Sequence, residues 1–497
     1  MALAKGTPRE VPLPLSDLDD TARKAFHRAG SFFTDLMTPS LRLGVTGLSR
    51  AGKTVFITAL IRNLVSGGRL PFFGPEAEGR IERAYLEPQP DDTVPRFDYE
   101  AHLATLENSP PGWPESTRRL SQLRVTIEYL AANPLVRAFG PSRLNLDIVD
   151  YPGEWLIDLP LLQQSYEAWS AEAIVQAQEA RRALHAKSWL ALLDTIDPYA
   201  PEDEQVALTG TRLFCGYLME ARANNHVLHT SGPGRFLMPG DLAGSPLLTF
   251  FPLPLEANRS TPRGSLAAMM ARRFESYKSH VVRPFFRECF ARLDRQIVLV
   301  DLLGPLNEGG PALADLQRAL DGVLGAFRTG ASSWLTSLLG RRIDKLLFAA
   351  TKADHIHATS HDRLEAILRL VTERAMNRAT STGSEVDVQA LAALQATHEA
   401  EAKIGDDLLP CIVGVPLAGE RVGAKVFDGI QEAVIFPGDL PEDPKKALMS
   451  EAGPTRLNFV RFRPPRVLPA GANGEAAPLP HIRLDRALDF LLSDRLA

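Results

Sequence analysis

The residues from Gly47 to Thr54 have the types and the spacing needed to bind a chain of phosphates. They read Gly-Leu-Ser-Arg-Ala-Gly-Lys-Thr and fit the pattern G-x-x-x-x-G-K-[ST] at every fixed position. Two glycines let backbone amides approach the phosphates, and the positive end of the following helix dipole adds to the attraction. Lys53 is predicted to reach the β- and γ-phosphates as a catalytic residue, and the hydroxyl of Thr54 to ligate Mg²⁺. The nucleotide-binding residues predicted from this loop are Gly47, Ser49, Arg50, Ala51, Gly52, Lys53, Thr54 and Val55.

A second candidate element, Asp150-Tyr-Pro-Gly153, follows a strand that looks buried. Ligands of open α/β sheets bind at the carboxyl ends of the strands, where this turn would lie. The carboxylate of Asp150 is predicted to hold Mg²⁺ through water, and the amide of Gly153 to contact the γ-phosphate until hydrolysis. Asp301-Leu-Leu-Gly304 repeats the pattern, but Asp301 ends a later strand. We expect Asp301 to be a turn residue or a supporting carboxylate.

Glu154 stands directly after this turn, where many GTPases have the glutamine that positions the attacking water. As a carboxylate near the phosphates it could orient water, and it is one of the predicted catalytic residues. Alternatively, it forms an ion pair with an arginine outside the site. The sequence does not favour either role.

Thr351-Lys352-Ala-Asp354 follows an apolar strand and looks like the guanine-reading [NT]-K-x-D element of GTPases. The carboxylate of Asp354 can accept two hydrogen bonds from guanine N1–H and the 2-amino group, which adenine does not supply. The stem of Lys352 would pack on the base. Thr351, Lys352 and Asp354 are therefore predicted to bind the nucleotide, and the preference for guanine rests mainly on Asp354.

Three further positions remain open in the sequence. A switch threonine that is catalytic and ligates the metal should lie between the first helix and the second strand. Thr117 is the preferred candidate, with Ser116 and Thr93 as competitors, although a helix N-cap would explain Thr117 nearly as well. Arg50 either adds positive charge toward the phosphates or is a solvated surface arginine. A base-contacting loop is expected near Val415 to Gly419, where no single residue stands out.

The elements that must position these residues alternate in the manner of a parallel sheet covered on both faces. The predicted strands are 41–46, 123–129, 144–149, 296–301, 345–351, 408–415 and 456–462, and the predicted helices are 16–37, 54–65, 311–328, 361–380 and 484–496. Residues 67–117 are rich in proline and glycine and read as a long functional loop. The fold class predicted is a P-loop NTPase three-layer α/β/α domain with a mainly parallel sheet, plus a large helical insertion domain.

The same reading divides the chain into five parts. They are an N-terminal helical extension (1–40), the first part of a GTPase domain with a long switch loop (41–154), a helical insertion (155–295), the second part of the GTPase domain (296–465), and a linker with a C-terminal helix (466–497). The helical insertion is the part with which a protein effector would most readily interact.

The composition indicates which classes of partner and which cellular compartment are expected. The 497 residues carry a net charge of −5 and are 45% hydrophobic and 23% charged, which gives no general attraction to nucleic acid. Cys215, Cys289 and Cys411 are scattered singly, which argues against a disulfide framework and favours the cytoplasm. A secretory signal and an uninterrupted apolar stretch of about 18 residues are both missing, so no transmembrane segment is expected.

The chain resembles the YcjX-like family of bacterial P-loop stress proteins. The matching segments are 47–58, Leu70-Pro-Phe-Phe73, Asp150-Tyr-Pro-Gly-Glu-Trp-Leu156 with 158–162, 296–301, 351–354 and Pro480-His-Ile-Arg-Leu-Asp485. The run from Asp150 to Leu162 is the most distinctive, because it is much longer than a generic GTPase element. The resemblance implies a cytoplasmic, Ras-like nucleotide-binding domain with a large helical insertion, associated with bacterial stress responses.

These observations support several functional hypotheses. The first is a slow, Mg²⁺-dependent GTPase that acts as a switch, with GTP or GDP as the bound nucleotide and the insertion relaying the change to an unknown partner. The second is an ATPase on the same fold. The third is a regulatory scaffold that binds GTP or GDP with negligible turnover, which Glu154 in place of glutamine would favour. A peripheral membrane contact through Leu70 to Phe73 and Pro246 to Pro254 is a fourth and weaker idea.

Overall fold

A computed structural model describes most of the chain. The described residues are 38–47, 51–115, 119–138, 140–223, 232–257, 259–287, 292–325, 343–404, 407–449, 457–467 and 477–497. The helix predicted at 16–37 lies outside these ranges, as do Ser116, Cys289 and most of the predicted N-terminal extension.

A mainly parallel sheet of seven strands forms the centre of the fold. The strands of the chain are β1 (Ser40–Gly47), β2 (Ile81–Glu87), β3 (Ser121–Tyr129), β4 (Ser142–Asp150), β5 (Arg295–Val300), β6 (Lys345–Ala350), β7 (Glu385–Ala390), β8 (His398–Ile404), β9 (Asp407–Gly414), β10 (Arg421–Val422), β11 (Lys425–Val426) and β12 (Ala433–Ile435). The order in the large sheet is β2-β3-β4-β1-β5-β6-β7. β4, β1, β5, β6 and β7 run parallel, while β3 pairs antiparallel with both β2 and β4.

Helices cover both faces of this sheet. They are α1 (Lys53–Ser66), α2 (Gly74–Ala77), α3 (Tyr99–Glu107), α4 (Pro134–Arg137), α5 (Tyr166–Ala177), α6 (Ala180–Leu193), α7 (Glu204–Ala223), α8 (Gly234–Leu237), α9 (Leu266–Tyr277), α10 (Arg283–Phe285), α11 (Leu303–Glu308), α12 (Gly310–Gly325), α13 (His361–Ser381), α14 (Pro444–Met449) and α15 (Leu484–Leu492). A 3₁₀ helix spans Gly153–Gln163, and a π-helical turn, Lys278–Val282, joins α9 to α10.

The two faces of the sheet bury different residues of the same strands. In β6, Leu347 and Ala349 belong to the core that α1 and α15 cover, whereas Leu346 and Phe348 belong to the core shared with α12 and α13. Successive side chains of a strand point to opposite faces, so an apolar run such as that of β6 is suited to burial on both sides. The three-layer α/β/α fold predicted from the sequence is confirmed.

The helices between Gly153 and Phe286 form the predicted helical insertion, and their core is rich in aromatic rings. Trp169 stacks on Phe274 with ring centroids 5.0 Å apart, and Trp189 stacks on Tyr217 at 5.7 Å. These rings belong to the same buried cluster as the residues of α12 and α13. Aromatic burial therefore ties the insertion firmly to one face of the sheet.

Several expectations about the elements were wrong. The region 67–117 is not one long loop, because it contains the edge strand β2 and helix α3. The predicted strand 408–415 corresponds to β9, which lies in a separate antiparallel sheet of order β12-β9-β8. The last strand of the large sheet is instead β7, which the sequence reading missed. In place of the predicted strand 456–462, the described residues 457–462 form only an isolated bridge between Pro416 and Phe462.

Candidate nucleotide site

The phosphate loop, residues 47–54, joins β1 to α1, and the structure describes its residues 47 and 51–54. Its two glycines have different structural reasons. Gly47 is the last residue of β1, and a Cβ there would lie 2.7 Å from the carbonyl oxygen of Leu299. Gly52 is the N-cap of α1 and has a φ of 82°, a left-handed conformation that L side chains rarely adopt. Gly47 thus lets β1 lie against β5, and Gly52 turns the chain into the helix.

The two residues that open α1 are buried and held by main-chain carbonyls. The ammonium of Lys53 donates to the carbonyl oxygen of Gly47 at 3.0 Å, and the hydroxyl of Thr54 donates to that of Glu115 at 3.1 Å. Gly52, as N-cap, offers no side chain that could accept from the first amides of the helix. The start of α1 therefore presents backbone amides and a lysine, a combination that suits anionic oxygens.

Ala51 and Val55 complete the described part of the loop, with Ala51 buried and Val55 packed at the edge of the α1 core. Ser49, Arg50 and the switch candidate Thr117 lie outside the described residues. Thr93, a competitor for the switch role, donates its hydroxyl to Asp91 in an exposed turn.

Asp150 ends β4 at the same edge of the sheet. It lies beside Val45 in the parallel pairing of β1 and β4, two residues before the phosphate loop begins, and it is 2% exposed. The carboxylate of Asp150 and the hydroxyl of Thr54 are both oxygen ligands of the kind Mg²⁺ prefers. These two oxygen donors therefore fit a magnesium ion better than a softer metal.

The chain after Asp150 forms the acidic turn, residues 150–154, and its last residue is paired with the insertion. Gly153 begins the 3₁₀ helix, and the carboxylate of Glu154 accepts a hydrogen bond from Arg222, near the end of α7. Burial by itself raises the pKa of Glu154, but the positive charges of Arg222 and Lys53 outweigh it and hold the pKa below its ordinary value. Of the two roles left open for Glu154, this structure shows the ion pair.

Asp158, four residues further on, fastens the 3₁₀ helix to two other parts of the insertion. Its carboxylate accepts from the amide of Gly234 at 2.7 Å and from the hydroxyl of Tyr277 at 2.6 Å. Burial outweighs these hydrogen bonds and raises the pKa of Asp158 to about 6. A Cβ on Gly234 would lie 1.8 Å from the carbonyl oxygen of Glu154, so the backbone of the insertion rests directly on the acidic turn.

The predicted base-reading residues follow β6 at the same edge. Thr351 is anchored by its amide to the carbonyl of Val300 at 2.9 Å. Lys352 has a φ of 62°, and its ammonium pairs with the carboxylate of Asp301. Burial raises the pKa of Asp301, but Lys352 outweighs it and keeps the pKa below its ordinary value. Asp301 thus has the supporting role expected of it.

Asp354 is held by a loop that the sequence did not indicate. Its carboxylate accepts from the amide of Ala396 at 2.8 Å, and the hydroxyl of Thr397 donates to its carbonyl oxygen. The loop 391–397 follows β7, the last strand of the large sheet, whereas residues 415–419, where a base-contacting loop was expected, follow β9 of the separate sheet.

The structure brings most of the predicted residues to one edge, in the order of the strands. The acidic turn follows β4, the phosphate loop follows β1, Asp301 follows β5 and Thr351 follows β6. Arg222 and Ala396 were missed. The alternating pattern of Glu-Val-Asp-Val-Gln-Ala in β7 could have indicated the strand before Ala396. Arg222 lies 68 positions from Glu154, so no local pattern could have found it.

The described helices include none that is both long and apolar enough to cross a bilayer. No group of three or more histidine, cysteine or acidic residues arranged to hold a metal is found within the same described ranges.

Comparison with known proteins places these features in a family. The model of the YcjX-like family, DUF463, matches residues 41–496. A protein named Ras-like GTPase YcjX from Escherichia coli (strain K12) is 38% identical over 471 residues, which cover 92% of this chain and 96% of the relative. A protein of the same name from Shewanella oneidensis (strain MR-1) is 34% identical over 505 residues, covering 96% and 99%.

Among solved structures, the signal recognition particle receptor SRb-GTP/SRX complex from Chaetomium thermophilum matches 72% of this chain and 92% of its own. The TM-score is 0.25 and the sequence identity 14%, a likeness too low to support an inference about the site.

Proposed function

The chain belongs to the YcjX-like family, and we propose that it binds GTP together with Mg²⁺ and hydrolyses the GTP slowly, as a nucleotide-dependent switch. The observation that carries this proposal is the shared sheet edge. It holds a phosphate loop after β1 and, two strands away, a carboxylate after β6 fixed by a backbone amide. The two relatives are named as GTPases, which agrees with it.

The preference for guanine follows from the chemistry of Asp354. Guanine presents N1–H and a 2-amino group, two donors that a carboxylate can accept together, whereas adenine has no donor at N1. The amide of Ala396 fixes the carboxylate before any nucleotide arrives. Less conformational freedom is then lost on binding, which strengthens discrimination between the two bases.

The phosphates would be bound by the amides at the start of α1 and by Lys53. Thr54 and Asp150 would hold the Mg²⁺, Asp150 through water, and the bound ion would neutralise part of the phosphate charge. The chain's own residues would orient the γ-phosphate through the Gly153 amide. We further propose that Thr117 ligates the metal and that Arg50 adds positive charge near the phosphates.

The insertion contacts the acidic turn and could therefore transmit a change in the site to a partner protein. We propose that the change at the acidic turn passes through Glu154 and Asp158 into the helices between 155 and 295, which would contact a protein effector. The domain boundaries 41–154, 155–295 and 296–465 agree with this division of labour. The family resemblance supports a role in bacterial stress responses, in the cytoplasm.

A regulatory scaffold that binds GTP or GDP with negligible turnover is the second candidate. The Glu154–Arg222 ion pair favours it, because a carboxylate engaged with an arginine is less available to orient water. Single-turnover release of phosphate from GTP separates the two. A measurable rate that Lys53→Ala abolishes supports the GTPase, and tight binding without release supports the scaffold.

Competition between GTP and ATP for the purified protein tests the choice of nucleotide. We expect GTP to bind at least about 100-fold more tightly than ATP, because a site built to pair with polar groups rejects the analogue that lacks them. Asp354→Asn should move the preference toward xanthosine triphosphate, whose base presents an acceptor at the 2-position. Equal binding of ATP and GTP to the unaltered protein would refute the guanine assignment and support the ATPase.

A further inference from the structure

One ion pair links the insertion to the phosphate side of the proposed site. Arg222 lies in the last turn of α7 and donates to Glu154, the residue that ends the acidic turn. The side chain of Glu154 is 6% exposed and that of Arg222 is 28% exposed. Removing two charges from water costs free energy that their attraction often fails to return. A pair of this kind is therefore weak evidence of a purely stabilising role.

The carboxylate of Glu154 is stabilised by two positive charges, as a phosphate would be. Besides Arg222, the ammonium of Lys53 is near enough to influence its carboxylate. Lys53 is also the residue expected to bind the γ-phosphate. The Glu154 carboxylate is thus paired with an arginine of the insertion and is also stabilised as an anion by the charge of the loop lysine.

We propose that Arg222 is an arginine that the insertion supplies to the phosphates of GTP, and that Glu154 holds Arg222 beside the site until a γ-phosphate competes for it. This inference rests on the GTPase function proposed above. The γ-phosphate carries more negative charge than a carboxylate, and it would repel Glu154 while attracting the guanidinium. Arginine presents five donors in a planar fork that matches phosphate oxygens well.

The chemical role of Arg222 would be to neutralise charge that builds up on the phosphate oxygens as the terminal P–O bond breaks. Water attacks the γ-phosphorus, GDP leaves with the bridging oxygen, and inorganic phosphate is released, so Arg222 itself neither gains nor loses a proton. Arginines in this role are worth about 10³ to 10⁵ in rate in nucleotide hydrolases that have them.

The position of α7 suits such a role. Its residue Tyr217, five positions before Arg222, stacks on Trp189, and the neighbouring Leu218 is buried in the aromatic core. These contacts hold α7 against its neighbours, so the exchange between Glu154 and a phosphate begins with movement of the arginine side chain and of the acidic turn. A partner that shifts α7 would then control the arginine.

The test compares Arg222→Ala with the matched control Arg212→Ala, which removes an exposed arginine from the same helix. Each variant is assayed for GTP and GDP affinity and for single-turnover hydrolysis. We expect Arg222→Ala to lower the hydrolysis rate at least about 100-fold while GDP affinity changes less than about threefold. Arg212→Ala should hydrolyse at the unaltered rate. Equal rates for the two variants would overturn the proposal.

A charge exchange distinguishes catalysis from a structural link. The double variant Glu154→Arg with Arg222→Glu can restore an ion pair and the melting temperature, but it places no arginine at the end of α7. Hydrolysis should stay at the level of Arg222→Ala, and recovery of the rate would show that the pair is only structural.

Failure of the underlying function would look different. If the unaltered protein does not bind GTP, the proposed GTPase itself is wrong and the role of Arg222 is wrong with it. If GTP binds but turnover is too slow to follow, binding of GDP with aluminium fluoride replaces the rate assay. Arg222→Ala should then lose that complex at least about 100-fold, and unchanged binding would refute the role of Arg222 alone.

Discussion

The two ends of the proposed nucleotide site, the base end at Lys352 and Asp354 and the phosphate end at Lys53 and the acidic turn, are held in different ways. At the base end, Asp354 is fixed by Ala396 and Thr397, and Lys352 by Asp301, so every support comes from loops of the sheet itself. At the phosphate end, the 3₁₀ helix that begins at Gly153 is held by residues of the insertion.

This difference separates recognition of the base from the response to the γ-phosphate. The base end can be ready to bind whatever the insertion does, because in the described part of the chain Lys352 and Asp354 receive no hydrogen bond from the insertion. At the phosphate end, Arg222, Gly234 and Tyr277 all contact the segment that is expected to sense the γ-phosphate. If GTP binding moves that segment, it must also change the affinity of the insertion for a partner. By the same coupling, a partner bound to the insertion must change the affinity for GTP by the same factor.

Lys53→Ala should break the phosphate end most completely. Loss of the ammonium removes the main cation expected to meet the β- and γ-phosphates, so GTP affinity should fall about 1,000-fold, or roughly 4 kcal/mol. Titration of fluorescent GTP measures this. Lys187→Ala, which alters an exposed lysine of the insertion, should bind like the unaltered protein. Retained affinity in Lys53→Ala would place the nucleotide elsewhere.

Gly234→Ala should separate the insertion from the acidic turn. The new Cβ would lie 1.8 Å from the carbonyl oxygen of Glu154, so the backbone must shift, at a cost of about 3 kcal/mol. Gly216→Ala, in α7 with nothing within 4 Å of its new Cβ, is the control and should be neutral or slightly stabilising. Thermal melting compares the two, and GTP affinity should fall only in Gly234→Ala. Similar melting of both variants would contradict the close contact.

Asp158, which holds the 3₁₀ helix at the phosphate end, should make the stability of the protein depend on pH. The pKa of Asp158 is raised from 3.8 to about 6 in the fold, so the folded protein binds a proton more readily than the unfolded chain between these values. The contribution of Asp158 to the free energy of unfolding should therefore rise as pH falls from 7 toward 4, by at most about 3 kcal/mol.

Asp158→Asn removes that dependence, because an amide can still accept from Gly234 and donate to Tyr277 without carrying charge. Its melting temperature should exceed that of the unaltered protein at pH 8, and the difference should shrink by pH 5. Tyr277→Phe serves as the contrast, since it removes a donor and leaves the charge. A difference that stays constant with pH would rule out the raised pKa.

The smallest expected effect lies at the base end and concerns the backbone of Lys352. Its φ of 62° is a left-handed conformation, which costs a residue with a side chain about 1 kcal/mol relative to glycine. Lys352→Gly and Lys352→Ala both lose the pair with Asp301, so their difference isolates the backbone. Urea unfolding should find the glycine variant more stable by about 1 kcal/mol. An alanine variant of equal or greater stability would contradict the strained geometry.

The sequence predicts those parts of the molecule that depend on local patterns. The phosphate loop, the acidic turn and the strands β1, β4, β5 and β6 each have a pattern of their own, and the three-layer fold follows from their order. β7 was missed because it is an edge strand with alternating polar residues, while the more apolar β9 appeared the better candidate. Proline and glycine in 67–117 likewise concealed β2 and α3.

The contacts that join the acidic turn to the insertion could not be predicted. Glu154 meets Arg222 over 68 positions, and Asp158 meets Tyr277 over 119. Both pairs depend on how the insertion packs on the sheet, which is settled by the aromatic core and not by any spacing in the sequence. The sequence therefore indicates which residues could do chemistry, but not the partners that restrain Glu154 and Asp158.

A crystal structure of the full chain with a non-hydrolysable GTP analogue and Mg²⁺ tests the central claim most directly. The account predicts that the triphosphate lies against the amides at the start of α1 and against Lys53, and that the base meets Asp354 and the loop 391–397. Nucleotide bound elsewhere, or its absence at saturating concentration, would contradict the account.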